Sequence, residues 1–163
     1  MAKNKEEKTN VMRVLEQKKI AYTAHTYPHE EGMAVDGVTV AKSMGFDPAI
    51  VFKTLVARGA SKQYYVFDVP VAENLDLKKA AKAVGEKSIE MIHQKELTPL
   101  TGYVRGGCSP VGMKKQLRTV FASQALAQET ILVSAGKIGY QVELAPHDLA
   151  ALVRAKFADI IVE

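Results

Sequence analysis

Two apolar runs, residues 50–56 and 64–69, constrain the fold of this chain more than any other feature. A turn centred on Gly59 separates them, and Pro70 ends the second run. This spacing predicts a β-hairpin. The first run is apolar on both faces apart from Lys53 and Thr54. A second hairpin is expected from 130–133 and 140–144 around the turn 134–139. Single strands are expected at 21–27, stopped by Pro28, at 88–92 and at 117–121, with an edge strand at 160–162. Helical signals fall between them. Thr9 or Asn10 caps a helix to Lys19, with Val11, Val14 and Leu15 at i, i+3, i+4. Residues 39–44 read as a helix closed by Gly45. Asp76 caps 77–84, with Gly85 behind it, and Leu77, Ala80, Ala81 and Val84 are expected to face the core. One helical turn is expected at 93–97, a short helix or turn at 123–128, and a helix from Pro146 to about Lys156. Residues 30–36 read as a loop. Short strands with helices at intervals, some strands joined by hairpins, argue an α+β fold with a mixed or antiparallel sheet. No repeat or linker divides the 163 residues, which read as one domain.

Composition removes several function classes. The chain is 47% apolar and 25% charged, with a net charge of +4 that permits a nucleic-acid partner without demanding one. A single cysteine excludes an internal disulfide. Residues 1–8 are charged with no apolar stretch behind them, so no signal peptide is expected. No apolar run approaches the roughly 18 residues of a membrane span. A cytoplasmic protein is the expectation.

The stretch 101–115 holds four of the eleven glycines, the only cysteine, Cys108, and Pro110, and it ends in Lys114-Lys115. Tyr103-Val104 reads as strand, which Gly106-Gly107 must end or bend. The loop is either a Gly-Pro turn between strands or a backbone cradle for an oxyanion or phosphate, with close amides from glycine. It lacks the G-x-x-x-x-G-K-[ST] pattern of a Walker loop. In a strand, Lys53 shares its face with Val51 and Leu55. Such a lysine either snorkels at a sheet edge or points into a lined pocket. Thr54, on the other face, reads as structural. His25, Tyr27 and His29 lie at period two, but Pro28 breaks the strand and no further ligand completes a metal set. Lys78, Lys79 and Lys82 form the densest basic cluster, either a solvated face or a contact for an RNA backbone. Cys108 has no histidine nearby in sequence and reads as a small apolar loop residue rather than a nucleophile.

Four segments together resemble the YbaK family, free-standing editing deacylases related to the inserted domain of prolyl-tRNA synthetase. They are Val51-Phe52-Lys53-Thr54-Leu55, Leu75-Asp76-Leu77-Lys78-Lys79-Ala80-Ala81, the Gly106-x-x-x-Pro110 loop and Val133-Ser134-Ala135-Gly136-Lys137. They stand in the family's order and approximate spacing, and the similarity covers nearly the whole chain. The resemblance implies an α+β fold with a mixed, barrel-like β-sheet and surrounding helices, forming one aminoacyl-tRNA editing domain over residues 1–163. It implies a deacylase for mischarged Cys-tRNA(Pro), without cofactor or metal, in which the cysteinyl thiol attacks its own ester. Lys53, Gly106 and Gly107 would then be catalytic, and Tyr27, Cys108, Ser109, Pro110 and Ser134 would bind substrate. Mischarged tRNA(Pro) and prolyl-tRNA synthetase are the implied partners. Two positions depart from the family pattern, Glu73 where asparagine is expected and Gln141 where a shorter or acidic residue occurs. A deacylase for Ala-tRNA(Pro) using water, and a non-catalytic docking module whose basic surface is Lys78, Lys79, Lys82, Lys114, Lys115 and Arg118, are the competing readings.

Overall fold

The structure is a computed structural model, and it describes residues 8–30 and 32–163. Residues 1–7 of the charged N-terminal stretch and Glu31 of the 30–36 loop fall outside the described residues. Helix α1 is Asn10–Gln17, capped by the Thr9 side chain, which accepts from the Met12 N–H, and it buries Val11, Met12 and Leu15. Strand β1 is Thr23–Thr26. Helix α2, Gly37–Met44, is capped by Asp36. The hairpin is present as β2, Phe52–Gly59, and β3, Tyr64–Pro70, registered Lys53 to Val69 and Thr54 to Asp68. Helix α3 is Leu77–Val84, with the Asp76 side chain accepting from the N–H groups of Lys78 and Lys79. Strand β4 is Ile89–Met91, helix α4 Gln94–Thr101 and strand β5 Arg118–Ala122. The second hairpin is β6, Ile131–Ser134, and β7, Tyr140–Leu144. Helix α5, Pro146–Val153, and β8, Lys156–Ala158, complete the chain.

The strands form two sheets, and among the described residues they close no barrel. One is antiparallel and three-stranded, ordered β1-β7-β6. The other is five-stranded, ordered β4-β2-β3-β5-β8, with antiparallel pairs at β4-β2-β3 and parallel pairs at β3-β5-β8. A single bridge from Val51 to Leu132 joins them. The main core lies between and beneath the sheets. Phe52, Phe67, Phe121, Ile131, Leu144 and Leu149 are each at most 2% exposed in it. Burying side chains of this size contributes about 1.5–3 kcal/mol each.

Four local expectations are corrected. Tyr103-Val104 is loop, because threonines at the end of α4 satisfy its backbone. The Tyr103 N–H donates to Thr101 Oγ1 at 3.0 Å, and its carbonyl accepts from Thr98 Oγ1 at 2.8 Å. Helix α4 extends through Pro99 to Thr101 rather than stopping at 97. The C-terminal strand is Lys156–Ala158, paired in parallel with β5, whereas Ile161 makes only a bridge to Leu75. Leu77 is 41% exposed and does not face the core.

Candidate active site

A cavity of about 660 Å³ lies where β2 leaves one sheet for the other. Val51 is bridged to β6, and β4 takes over as neighbour only from Ala57. The Val56 carbonyl accepts from the Ile92 N–H at 3.3 Å, so even-numbered residues of β2 direct their backbone to that edge. Thr54 is the next such residue, and among the described residues no strand pairs with it there. The fork thus leaves one strand residue's N–H and C=O open beside the cavity.

Lys53 lines this cavity. Among the described residues its ammonium makes no hydrogen bond or ion pair. Burial holds its pKa below the ordinary lysine value, and the charge of Glu73 offsets part of that shift. The lysine therefore points into a lined pocket rather than snorkelling. Thr54 Oγ1 donates to the buried Asp68 at 2.6 Å. Asp68 is fully buried and its Oδ2 has no partner, and burial pushes its pKa up to about 8. At neutral pH it is largely a neutral acid.

The glycine loop covers this face of the hairpin. Its frame is Tyr103, whose hydroxyl donates to the Val111 carbonyl across the loop. Gly106 lines the cavity with φ +87°, and a Cβ placed on it would lie 2.8 Å from Cβ of Ala34. Its N–H has no protein acceptor among the described residues. The Gly107 N–H, by contrast, donates to the Val104 carbonyl at 3.0 Å. Gly107 is buried against the turn 134–139, where an added Cβ would sit 3.1 Å from the Ile138 nitrogen. Ser109 and Pro110 are also buried and do not line the cavity. The Ser109 hydroxyl accepts from the Val111 N–H at 3.2 Å. Cys108 reaches the cavity, but burial first, then Asp68, push its thiol up to about 12.

The three-stranded sheet supplies the opposite wall with Tyr27, Gln141 and Ser134. The Tyr27 N–H donates to the Gly139 carbonyl at 3.0 Å, and burial first raises the phenol's pKa, with the Gly139 backbone offsetting part of that shift. Ser134 Oγ accepts from the Gly136 N–H at 3.1 Å. Asp36 closes one side. Its bonds to the Thr39 hydroxyl and N–H hold its carboxyl below the usual range. The cavity thus gathers Tyr27, Lys53, Gly106, Cys108 and Ser134 from the sequence reading, and leaves Gly107, Ser109 and Pro110 outside its lining. Arg105, Asp36 and the open edge at Thr54 were not singled out, since no local pattern marks them. Neither His25 nor His29 lines it. His25 Nε2 lies 2.8 Å from Glu143 Oε1, and His29 Nδ1 lies 3.0 Å from the Tyr27 carbonyl.

Residues 29–152 match the model of the aminoacyl-tRNA editing domain. The chain belongs to the aminoacyl-tRNA editing domain family. A relative from Enterococcus faecalis, provisionally named Cys-tRNA(Pro)/Cys-tRNA(Cys) deacylase EbsC, is 46% identical over 161 residues, covering 98% of each chain. A crystal structure described as a candidate trans-editing enzyme for prolyl-tRNA synthetase superposes with a TM-score of 0.79 at 25% identity, over 94% of this chain and 95% of the other. A hypothetical protein of solved structure shares the fold, with a TM-score of 0.82 at 19% identity over 93% and 99% of the two chains. This editing-domain chain is an aminoacyl-tRNA deacylase with a mixed α+β architecture. Among the described residues, no helix is long and apolar enough to cross a membrane.

Proposed function

We propose that the protein removes cysteine from mischarged Cys-tRNA(Pro), and that the substrate's own thiol is the nucleophile. The observation that carries this reading is the composition of the cavity wall. Among the described residues it holds a half-buried cation with no hydrogen bond or ion pair, Lys53, and a glycine amide without an acceptor, Gly106, but no activated nucleophile or well-placed base. Cys108 keeps its proton at neutral pH. Asp36 is anionic, but its low pKa makes it a poor base.

In this reading the cysteinyl sulfur attacks the ester carbonyl carbon, closing a four-membered thiolactone. The ester C–O bond breaks, and the ribose oxygen leaves with the thiol's proton as a hydroxyl. Water later opens the thiolactone to free cysteine. The protein orients the ester and stabilises the developing oxyanion, with Lys53 and the Gly106 N–H as the available donors. Lys53 is also the group suited to the terminal nucleotide's phosphate. The unpaired ammonium favours an enzyme over a docking module, which has no use for a lysine inside a cavity. Of the module's proposed basic surface, Lys79, Lys114 and Arg118 are engaged by the protein itself.

Prolyl-tRNA synthetase as partner and the choice of tRNA belong to this proposal, supported by the relatives' names. Purified protein is given a panel of Cys-, Ser- and Ala-tRNA(Pro), with Cys-tRNA(Cys) beside them. Cleavage of the cysteinyl esters with Ser-tRNA(Pro) spared is expected. Equal turnover of the seryl or alanyl ester would replace thiol attack with a water mechanism.

A further inference from the structure

Gln141 is 6% exposed, lines the cavity, and carries an Oε1 with no hydrogen-bond donor among the described residues. Its position explains why. β7 is the central strand of the three-stranded sheet, so Gln141 has a direct neighbour on each side, His25 on β1 and Ser134 on β6. Neither side chain donates to Gln141 Oε1. His25 Nε2 is held by Glu143, and Ser134 Oγ accepts from the Gly136 N–H. A buried acceptor without a donor is costly, and a carboxamide has no titration by which to relieve the cost, unlike Asp68. A ligand filling the cavity that Gln141 lines can supply the donor.

An aminoacyl ester brings three kinds of donor: its α-ammonium, its ribose hydroxyls and, for cysteine, a thiol. The ammonium is the strongest, and it is present whatever the side chain. The cavity is polarised to receive it, because Asp36 lines it as an anion while Lys53 offers its charge to the ester or phosphate. A half-turn of the terminal torsion exchanges Oε1 and Nε2 with little change in shape, so the oxygen can face the ligand.

We propose that the Gln141 carboxamide receives the α-ammonium of the aminoacyl group, making Gln141 a specificity-determining residue that separates aminoacyl esters from acyl esters lacking a free amine. The inference rests on the deacylase reading of this cavity and deepens it. It also gives a role to a position where the sequence departs from its family pattern.

The test uses two stable amide analogues, 3′-deoxy-3′-(cysteinylamino)adenosine and its amine-free 3-mercaptopropionyl counterpart, with Kd measured by calorimetry. Wild type should bind the amine-bearing analogue roughly 10–100-fold more tightly, the effect of one charge-assisted hydrogen bond. Gln141→Leu should lose that preference to within about threefold while keeping its Kd for the amine-free analogue. Gln141→Glu should retain or sharpen the preference. Gln141→Met repeats the test should the branched side chain disturb the sheet, and a thermal melt confirms each fold. Equal loss for both analogues in Gln141→Leu, an unchanged preference, or no binding of either analogue by wild type would overturn the proposal. Deacylation of Cys-tRNA(Pro) by wild type, run in parallel, reports on the deacylase reading separately, since amide binding needs no turnover.

Discussion

At the α3 end of the molecule, Lys79 Nζ meets Asp159 at 3.1 Å, the Ile161 carbonyl at 3.0 Å and Glu163 at 3.4 Å. In the cavity, Lys53 makes no hydrogen bond or ion pair among the described residues and feels only the charge of Glu73. The same residue type serves two ends. The α3 seam spends its polar groups on holding the C-terminal residues to the chain, with Asp76 N–H to Ile160 O at 2.8 Å and Val162 N–H to Asn74 O at 2.9 Å beside the lysine. The cavity keeps its groups in reserve. Among the described residues, Lys53, the Gly106 N–H, the Thr54 strand edge and Gln141 Oε1 have no hydrogen-bond partner there. Unpaired polar groups cost stability, so their concentration at one place marks where a ligand supplies what the fold withholds.

The comparison breaks most decisively at Lys53. Lys53→Ala removes a charge whose burial outweighs the attraction of Glu73, so the melting temperature should hold or rise slightly. Single-turnover cleavage of Cys-tRNA(Pro) should fall on the order of 10²–10³, the scale of losing one oxyanion donor. Lys53→Arg should rescue only partly, because the guanidinium is larger and planar. Cleavage by Lys53→Ala near the wild-type rate would remove Lys53 from the chemistry.

Gly106→Ala comes next. A methyl there meets φ +87° and the Ala34 side chain at 2.8 Å, so the loop must shift at the cavity wall. Turnover is expected to drop roughly 10–100-fold, with a stability loss of about 1 kcal/mol from the left-handed backbone. A variant that melts far lower while its folded fraction keeps full activity would make the loop a structural turn.

Asp68 lies between the two regimes. It is buried and half-partnered, and it escapes the cost by keeping its proton. Its folded pKa of about 8 stands above its unfolded value, so the folded state holds the extra proton between about pH 4 and pH 8. Stability from this group is therefore greatest in acid and declines as pH rises through that window, by at most about 1.4 kcal/mol per pH unit. Asp68→Asn should flatten that decline and melt higher than wild type at pH 8. Parallel melting curves for the two proteins from pH 5 to pH 8 would show that Asp68 ionises without penalty.

Much of this arrangement was legible in the chain itself. The hairpin 50–70, the capped helix 77–84 and the hairpin around 134–139 carry their own signals in apolar runs, Asp and Gly caps and turn residues. Lys53 stood out because a charge broke an apolar strand. What stayed hidden depends on partners distant in sequence. Tyr103 reads as strand until the α4 threonines and the Val111 carbonyl claim its polar groups. Gly106 and Gly107 look equivalent, yet one amide is free and the other closes a turn. Nothing near Asp68 in sequence announces that the glycine loop will bury it. The split into two sheets follows from one strand changing neighbours at Val51, which no local pattern encodes.

The smallest effects belong to the basic face of α3, and they test whether the seam and the cavity are separate systems. Lys79 is already committed to two carboxylates and a carbonyl, whereas Lys78 and Lys82 have no side-chain partner among the described residues. If this face meets tRNA, each free lysine that contacts a phosphate releases counterions on binding. Lys78→Ala or Lys82→Ala should then lower the slope of log affinity against log salt by roughly 1. Lys79→Ala should leave that slope alone and instead loosen residues 159–163, visible as faster amide exchange at Val162. Deacylation of bound substrate should be unchanged in all three. A slope that falls equally for Lys79→Ala would mean that the seam opens to bind RNA. A slope that no variant changes would mean that the tRNA backbone lies elsewhere, leaving α3 as a structural helix with a solvated face.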